Sequence, residues 1–197
     1  RKLMEVCRMR NTPVIIFVNK LDREGRDPFE ILDELEAELK IAVRPLSWPI
    51  NIGAKFKGVY NIYEHAIDLF TPDKQKATER VEIDNVDDPR IDAAVGEQDA
   101  RQLRDDLELI EGVYPDFDVD QYLAGKLAPV FFGSALNTFG VKELLDCFVK
   151  IAPSPRPIEA LERTVKPEEE HFSGFVFKIH ANMDPNHRSC IAFVKVC

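Results

Sequence analysis

The sequence lacks the features that mark membrane, secreted and metal-binding proteins. Among its 197 residues, no apolar run approaches the roughly 18 residues that a membrane span needs, and no signal-peptide core is present. The four cysteines, Cys7, Cys147, Cys190 and Cys197, have no CxxC spacing. We therefore expect neither a disulfide framework nor a metal site, and the four histidines also lack ligand spacing. The simplest expectation is a reduced, cytoplasmic protein with no membrane contact.

A surplus of positive charge is also missing. The formal net charge is −9, whereas a protein that binds nucleic acid by itself must meet phosphates with lysine and arginine. We therefore expect no DNA partner. Residues 41–128 carry 10 basic and 18 acidic side chains, and so hold −8 of the total. This asymmetry predicts that residues 41–128, approximately, form a unit inserted into another domain.

The parts that flank this stretch show strand, loop and helix twice. Residues 13–18 form a continuous apolar run, typical of a strand buried on both faces of a parallel sheet. Asp27 and Pro28 fit the N-cap and first position of the helix that follows. Residues 129–132 predict a second buried strand, and residues 141–149 the next helix. The pattern predicts an α/β domain with a doubly wound, mostly parallel sheet.

The inserted stretch has a mixed α+β pattern. Residues 59–63 and 66–70 are predicted to be paired strands, and residues 78–83 alternate. A long amphipathic helix is predicted where apolar residues recur at helical spacing, at Ala100, Leu103, Leu107 and Ile110.

The end of the chain changes character after a proline-rich boundary at residues 153–157. Residues 175–179 and 192–196 alternate between inward and outward positions, which predicts a β-hairpin. Its turn is predicted at residues 184–186, which read Asp-Pro-Asn. We therefore expect a new β domain to start here.

Two polar segments follow the two predicted buried strands. Asn19-Lys20-Leu21-Asp22 comes after the first, and Gly133-Ser134-Ala135-Leu136 after the second. Ligands in open α/β sheets bind at the carboxyl ends of strands. The residues suit guanine, because the Asp22 carboxylate has two acceptor oxygens for the N1–H and the N2 amine.

The other residues of these segments have predicted roles around the same base. The backbone N–H of Ala135 can serve O6, and Asn19 either reaches N7 or ties the two loops together. Lys20 and Leu136 can cover the two faces of the ring. The alternative is that Asn19 and Asp22 only cap a turn, as such residues often do.

The phosphate-binding part of a guanine-nucleotide site is missing from the sequence. No G-x-x-x-x-G-K-[ST] loop occurs, and the stretch from Gly53 to Gly58 does not have that spacing. No separate Asp-x-x-Gly segment for magnesium is present, since the string from Asp22 to Gly25 belongs to the base motif. Phosphoryl transfer depends on phosphate and magnesium clamps. We therefore expect this chain to be the later half of such a domain, with no catalytic residues, no metal site and no GTP hydrolysis of its own.

With these motifs the chain resembles the translational GTPases. The two segments are similar to the fourth and fifth motifs of that group. Asp22 and Gly133 are 111 residues apart, and the stretch between them resembles the long insertion of elongation factor G. The closest resemblance is to the bacterial peptide chain release factor 3 family. It rests on residues 12–23, 48–50, 92–97 and, most specifically, 175–188.

The resemblance implies a fold and a set of partners. It implies the carboxyl half of a P-loop-type G domain over 1–152, a linker over 153–171 and the first strands of a β-barrel over 172–197. It implies GTP or GDP with magnesium as cofactors of the parent protein, none held tightly by this piece. It implies the ribosome and class-one release factors as partners, with ribosomal contacts at Lys178, His187 and Arg188.

Three alternatives stay open from the sequence. Elongation factor G or a ribosome-protection GTPase is the near alternative, and an α/β interaction module without nucleotide is the distant one. The acidic helix around residues 105–108 is either a solvated face or a surface for a ribosomal stalk protein.

Overall fold

The computed structural model describes residues 1–71, 79–181 and 190–196. The chain divides into two compact units, Arg1–Ile151 and Ala152–Cys197. Each unit has its own strands.

The centre of the first unit is a three-stranded parallel sheet in the order β1-β7-β2. Every residue of the middle strand is buried, as the apolar sequence LAPVFF predicts for a strand covered on both faces. The register pairs Val18 with Phe132 and Pro45 with Val130. The sheet confirms the predicted α/β class. Its strands are β1 (Ile16–Val18), β2 (Ala42–Pro45) and β7 (Leu127–Phe132).

Two features of this sheet differ from the prediction. The first strand covers only Ile16–Val18, since these are the residues that pair with β7, and Pro13 has no N–H to give. β2 lies within the stretch predicted as an insertion, yet it pairs with the central strand. Its one charged side chain, Arg44, is 5 % exposed and forms an ion pair with Glu111.

The predicted helices are confirmed. The Asp27 carboxylate accepts a hydrogen bond of 2.8 Å from the Phe29 N–H, and Pro28 occupies the first helical turn, as the sequence predicts. The helix that begins there buries Leu32 completely. The helices of the first unit are α1 (Lys2–Met9), α2 (Pro28–Leu39), α3 (Pro89–Val95), α4 (Glu97–Val113), α5 (Val119–Leu123) and α6 (Val141–Ile151).

The helix α6 leaves part of its apolar surface exposed. Leu145, Phe148 and Val149 are 51 %, 48 % and 79 % exposed, whereas Cys147 and Ile151 are buried. Residues four positions apart form one stripe of a helix, and the stripe that contains Cys147 and Ile151 is the one that faces the core.

A second, antiparallel sheet has the order β3-β4-β5-β6. Tyr60 lies opposite Ile67, so the predicted strand pair is confirmed. The chain passes from the central sheet into this one through Leu46, whose N–H donates to Val130 O at 2.9 Å. The four strands are β3 (Ser47–Ile50), β4 (Gly58–Asn61), β5 (Ala66–Leu69) and β6 (Glu79–Glu82). The helix α4 buries its predicted apolar face, Ala100, Leu103, Leu107 and Ile110.

The second unit contains two strand pairs. β8 (Ile158–Glu159) pairs with β9 (Thr164–Val165), and β10 (Gly174–Ala181) pairs with β11 (Cys190–Val196), both antiparallel. The predicted hairpin is confirmed in its strands, while its predicted turn at residues 184–186 lies outside the described residues. No helix in the described ranges is both long enough and apolar enough to cross a membrane.

Candidate functional site

The two predicted segments lie side by side at the carboxyl ends of two neighbouring strands. β1 and β7 are parallel and adjacent, so the loops that follow them leave the sheet at the same edge. The Gly133 N–H donates to Val18 O at 3.0 Å, and the Leu21 N–H donates to Gly133 O at 3.1 Å. These backbone bonds continue the sheet by one step and place the loops in contact.

Asn19 connects the loops. Its side-chain oxygen Oδ1 accepts from the Lys20 N–H at 2.8 Å and from the Ala135 N–H at 2.9 Å. Lys20 has a left-handed backbone with φ of 72°, which a non-glycine residue rarely adopts. The hydrogen bond from its own N–H to Asn19 holds that turn. Asn19 therefore links the two loops, which is one of the two roles predicted for it.

Asp22 is half-buried beside this connection. Among the residues that the structure describes, none forms a hydrogen bond or an ion pair with its carboxylate. Two acceptor oxygens are therefore available to a ligand with two neighbouring donors. Lys20 and Leu136 are exposed, one on each loop, and the Leu136 side chain is 64 % exposed.

Ser134 supports the second loop from inside. It is 1 % exposed, and its Oγ accepts from the Asn137 Nδ2 at 2.9 Å. Its backbone exchanges two hydrogen bonds of 3.0 Å with Phe139, which closes the loop between them. The Ser134 hydroxyl is thus a support of the loop, while Ala135 and Leu136 are its exposed residues.

Two glycines permit this closure. A Cβ at Gly133 would lie 2.3 Å from Phe139 O, and one at Gly140 would lie 2.5 Å from Phe132 O. Neither distance is compatible with a side chain. The spacing of these glycines around the segment is the sequence signal that predicts a closed loop, and the sequence reasoning did not use it.

Sequence reasoning also missed Gly53. Its N–H donates to Leu21 O at 2.9 Å, so the inserted stretch contacts the first loop directly. The stretch from Gly53 to Gly58 lacks the spacing of a phosphate loop, and the sequence predicts no contact between it and the base loops. Gly53 has φ of 64°, and a Cβ there would lie 2.3 Å from Glu24 Oε1, so the glycine itself is the trace of this close approach in the sequence.

The three predicted ribosomal contacts lie elsewhere in the chain. Lys178 belongs to β10 in the second unit, and its Nζ lies 5.5 Å from the centre of the Phe193 ring, as in a cation–π contact. His187 and Arg188 lie outside the described residues. Within the described ranges, no three histidine, cysteine, aspartate or glutamate side chains are grouped so that they could hold a metal ion.

A parallel sheet with two polar loops at adjacent strand ends is the arrangement of an α/β ligand-binding domain. Residues 1–154 match the family described as the elongation factor Tu GTP binding domain. The chain therefore belongs to this family of translational GTPases. Membership implies guanine nucleotides, with magnesium, as the ligands of the domain and the ribosome as the partner of such proteins.

Proposed function

We propose that this chain reads the guanine base in a ribosome-dependent GTPase of the peptide chain release factor 3 type. Such a GTPase dislodges class-one release factors from the ribosome during translation termination, in the cytoplasm. One observation carries the proposal for the base: the half-buried Asp22 carboxylate, free of partners among the described residues, lies where Asn19 joins the two loops.

The chemistry of the base follows from this arrangement. The two Asp22 oxygens accept from the N1–H and the N2 amine of guanine, as a bidentate pair. Adenine has an acceptor at N1 and no amine at position 2, so it would leave the carboxylate desolvated and unpaired. A good bidentate pair of this kind discriminates by about 1–3 kcal/mol.

The remaining residues complete the contact. The Ala135 N–H faces the loop junction, where it donates to Asn19. Guanine O6 would share this donor or replace Asn19 as its acceptor. The Lys20 stem and Leu136, both exposed, would cover the two faces of the ring.

We also propose the predicted division of the chain. Residues 1–152 form the carboxyl half of a G domain, with the insertion over about 41–128 apart from β2, which belongs to the central sheet. The phosphate loop and switches belong to another part of the parent protein. Among the described strands, β1 has a neighbour on one side only, which leaves an edge for further strands. Residues 153–171 are the linker, and residues 172–197 begin a β-barrel. On this assignment the parent holds GTP or GDP with magnesium, and the piece alone neither hydrolyses GTP nor holds nucleotide tightly.

The proposed partners follow from the same assignment. They are the ribosome, including its RNA and its stalk protein, and class-one release factors. Lys178, His187 and Arg188 are the proposed contacts of the β domain with the ribosome. The acidic helix α4, with Asp105 and Glu108 exposed, is the proposed surface for the stalk protein.

The test of base recognition is Asp22→Asn in the complete protein that contains this chain. We expect the affinity for GDP to fall about 10-fold or more. The affinity for xanthosine diphosphate should rise relative to that for GDP, because xanthine has a carbonyl at position 2. Asp105→Asn, an exposed aspartate on α4, is the matched control. Equal GDP affinity in Asp22→Asn and wild type would refute the role of Asp22.

A ribosome assay separates the release factor type from the elongation factor G type, which the long insertion also supports. The proposed function predicts that the complete protein with GTP removes a class-one release factor from ribosomes after peptide release. Stimulation of tRNA and mRNA movement, without release factor removal, would favour the elongation factor G type instead.

A further inference from the structure

The inserted stretch contacts both base loops directly. In the first loop, Leu21 lies between Lys20 and Asp22 and is 6 % exposed. Its N–H bonds to Gly133 O, and its own carbonyl accepts from the Gly53 N–H at 2.9 Å. The residue next to the proposed base-reading carboxylate is therefore held from one side by the second loop and from the other by the insertion.

The second loop is held by an aromatic cluster. Phe139, which closes this loop through its backbone bonds to Ser134, is 4 % exposed. Its ring meets Phe56 edge-on, with centroids 5.6 Å apart, and Phe70 edge-on at 5.3 Å. Phe56 and Phe70 lie 5.0 Å from each other. These three rings, Phe56, Phe70 and Phe139, are the clamp triad.

The clamp triad joins parts of the chain that are distant in sequence. Phe56 lies between the short 3-10 helix Gly53–Lys55 and β4, and Phe70 comes directly after β5, so both flank strands of the second sheet. Edge-to-face aromatic pairs add stabilisation beyond their buried area. The position of Phe139, and with it of Ser134, is thus coupled to the position of that sheet.

We propose that Phe56, Phe70 and Gly53 are positioning residues for guanine recognition, which act through Phe139 and Leu21. The inference rests on the proposed function, since it takes the two loops to be the base site. The insertion then keeps the loops at the separation that guanine needs. Loss of one ring loosens the second loop and speeds nucleotide dissociation, without removing any group that touches the base.

The experiment compares two matched substitutions in the complete protein. Phe70→Leu removes one ring from the clamp triad. Phe117→Leu removes one ring from a second aromatic group, with Tyr63 and Tyr122 at 6.2 and 6.3 Å. Phe117 and Tyr122 pack in the hydrophobic cluster that contains Phe131, whereas the clamp triad lies in a different cluster. The probe is GDP with a fluorescent label on the ribose, and its dissociation rate is measured after a chase with unlabelled GDP.

We expect Phe70→Leu to raise the dissociation rate about 3- to 10-fold and Phe117→Leu to change it less than about twofold. The ratio of GDP to inosine diphosphate affinity should fall in Phe70→Leu alone, because inosine lacks the N2 amine that a well-placed Asp22 reads. Phe70→Tyr keeps the ring and should restore both values. If Phe70→Leu does not fold, Phe56→Leu, which removes another ring of the clamp triad, takes its place with the same expected result.

Each outcome decides a different claim. Suppose that Phe70→Leu and Phe117→Leu release GDP at equal rates, while Asp22→Asn still weakens GDP binding. The positioning role would then be overturned, and base recognition would remain intact. If Asp22→Asn leaves GDP binding unchanged, base recognition itself fails. Failure of Phe70→Tyr to restore the rate of a folded Phe70→Leu protein would also overturn the role of the ring.

Discussion

The hydroxyl of Ser47 accepts a hydrogen bond from the backbone N–H of Phe132 at 2.9 Å. Ser47 opens β3 in the second sheet, and Phe132 ends β7 immediately before the second base loop. Both residues are almost fully buried, at 1 % and 0 % exposure. A side chain of the second sheet thus completes the hydrogen bonding of the central strand at the point where the site begins.

The first prediction concerns this bond. Ser47→Ala leaves the Phe132 N–H buried without an acceptor, and such a group costs about 1–3 kcal/mol. We expect that loss in the free energy of unfolding, measured by chemical denaturation and followed by the fluorescence of the only tryptophan, Trp48, which is 1 % exposed. The exposed Ser154→Ala is the control and should change stability by less than about 0.5 kcal/mol. A Ser47→Ala protein as stable as the control would show that the N–H finds another partner.

The second prediction concerns Asp68, which is 2 % exposed in β5. Burial, and next the negative charge of Glu143, raise the pKa of its carboxyl from 3.8 to about 6. Glu64 acts in the same direction, whereas Arg80 and Lys142 oppose the rise. Arg80 Nη1 lies 3.8 Å from Asp68 Oδ1, and no described residue gives a hydrogen bond to Oδ2.

The sign of the pH dependence follows from this raised pKa. Between pH 4 and 6, approximately, the folded state holds the Asp68 proton more tightly than the unfolded state, so stability falls as the pH rises. The full penalty applies above the folded pKa and is about 3 kcal/mol at most, since one pKa unit corresponds to about 1.4 kcal/mol. Asp68→Asn should therefore be more stable than wild type by about 1–3 kcal/mol at pH 8.

The measurement is the free energy of unfolding against pH. The difference between Asp68→Asn and wild type should shrink as the pH is lowered from 7 to 4. Asp116→Asn changes an exposed aspartate and is the control for net charge. A difference that stays constant over this pH range would contradict the burial of a titrating carboxyl at Asp68.

The third prediction concerns thiol reactivity. Burial raises the pKa of Cys147 to about 11, and the side chain is 2 % exposed, whereas Cys190 is exposed. Because the thiolate is the reacting form, we expect a maleimide at pH 7.5 to modify Cys190 in the native protein and to leave Cys147 unmodified. Peptide mass spectrometry identifies the modified residues, and labelling in denaturant is the control. Native labelling of Cys147 as fast as that of Cys190 would contradict the fold around α6.

The fold was predictable where one local pattern determines an element. The continuous apolar run of β7 and the Asp27-Pro28 start of α2 are such patterns. These two patterns predicted a strand and a helix that are both present in the structure. The adjacency of the two loops was predictable too, because parallel strands that neighbour each other end at the same edge.

The rest depends on contacts between distant residues. β2 was missed because it contains Arg44 and Pro45, and the partners of the Arg44 guanidinium, Glu111 and Tyr114 O, lie about 70 positions away. The clamp triad joins Phe56 and Phe70 to Phe139, and no local pattern encodes such a meeting. On α6 the apolar residues outnumber the buried positions, so the helix could be predicted from the sequence but the exposure of Leu145, Phe148 and Val149 could not.

The last prediction tests the connection between the loops. Asn19→Ala removes the oxygen that accepts from the N–H groups of Lys20 and Ala135. Both N–H groups are on exposed residues, so water can replace the lost acceptor and stability should fall by less than about 1 kcal/mol.

Nucleotide binding should respond more strongly, because the base needs both loops at a fixed separation. We expect GDP affinity in the complete protein to fall about 10-fold, which corresponds to about 1.4 kcal/mol. Asn137→Ala is the control, since the partner that the Asn137 side chain has among the described residues, Ser134, lies within the second loop. It should weaken GDP binding less than Asn19→Ala does at equal stability. If the two substitutions weaken binding equally, the link between the loops is not what Asn19 contributes, and its role reduces to that of a turn cap.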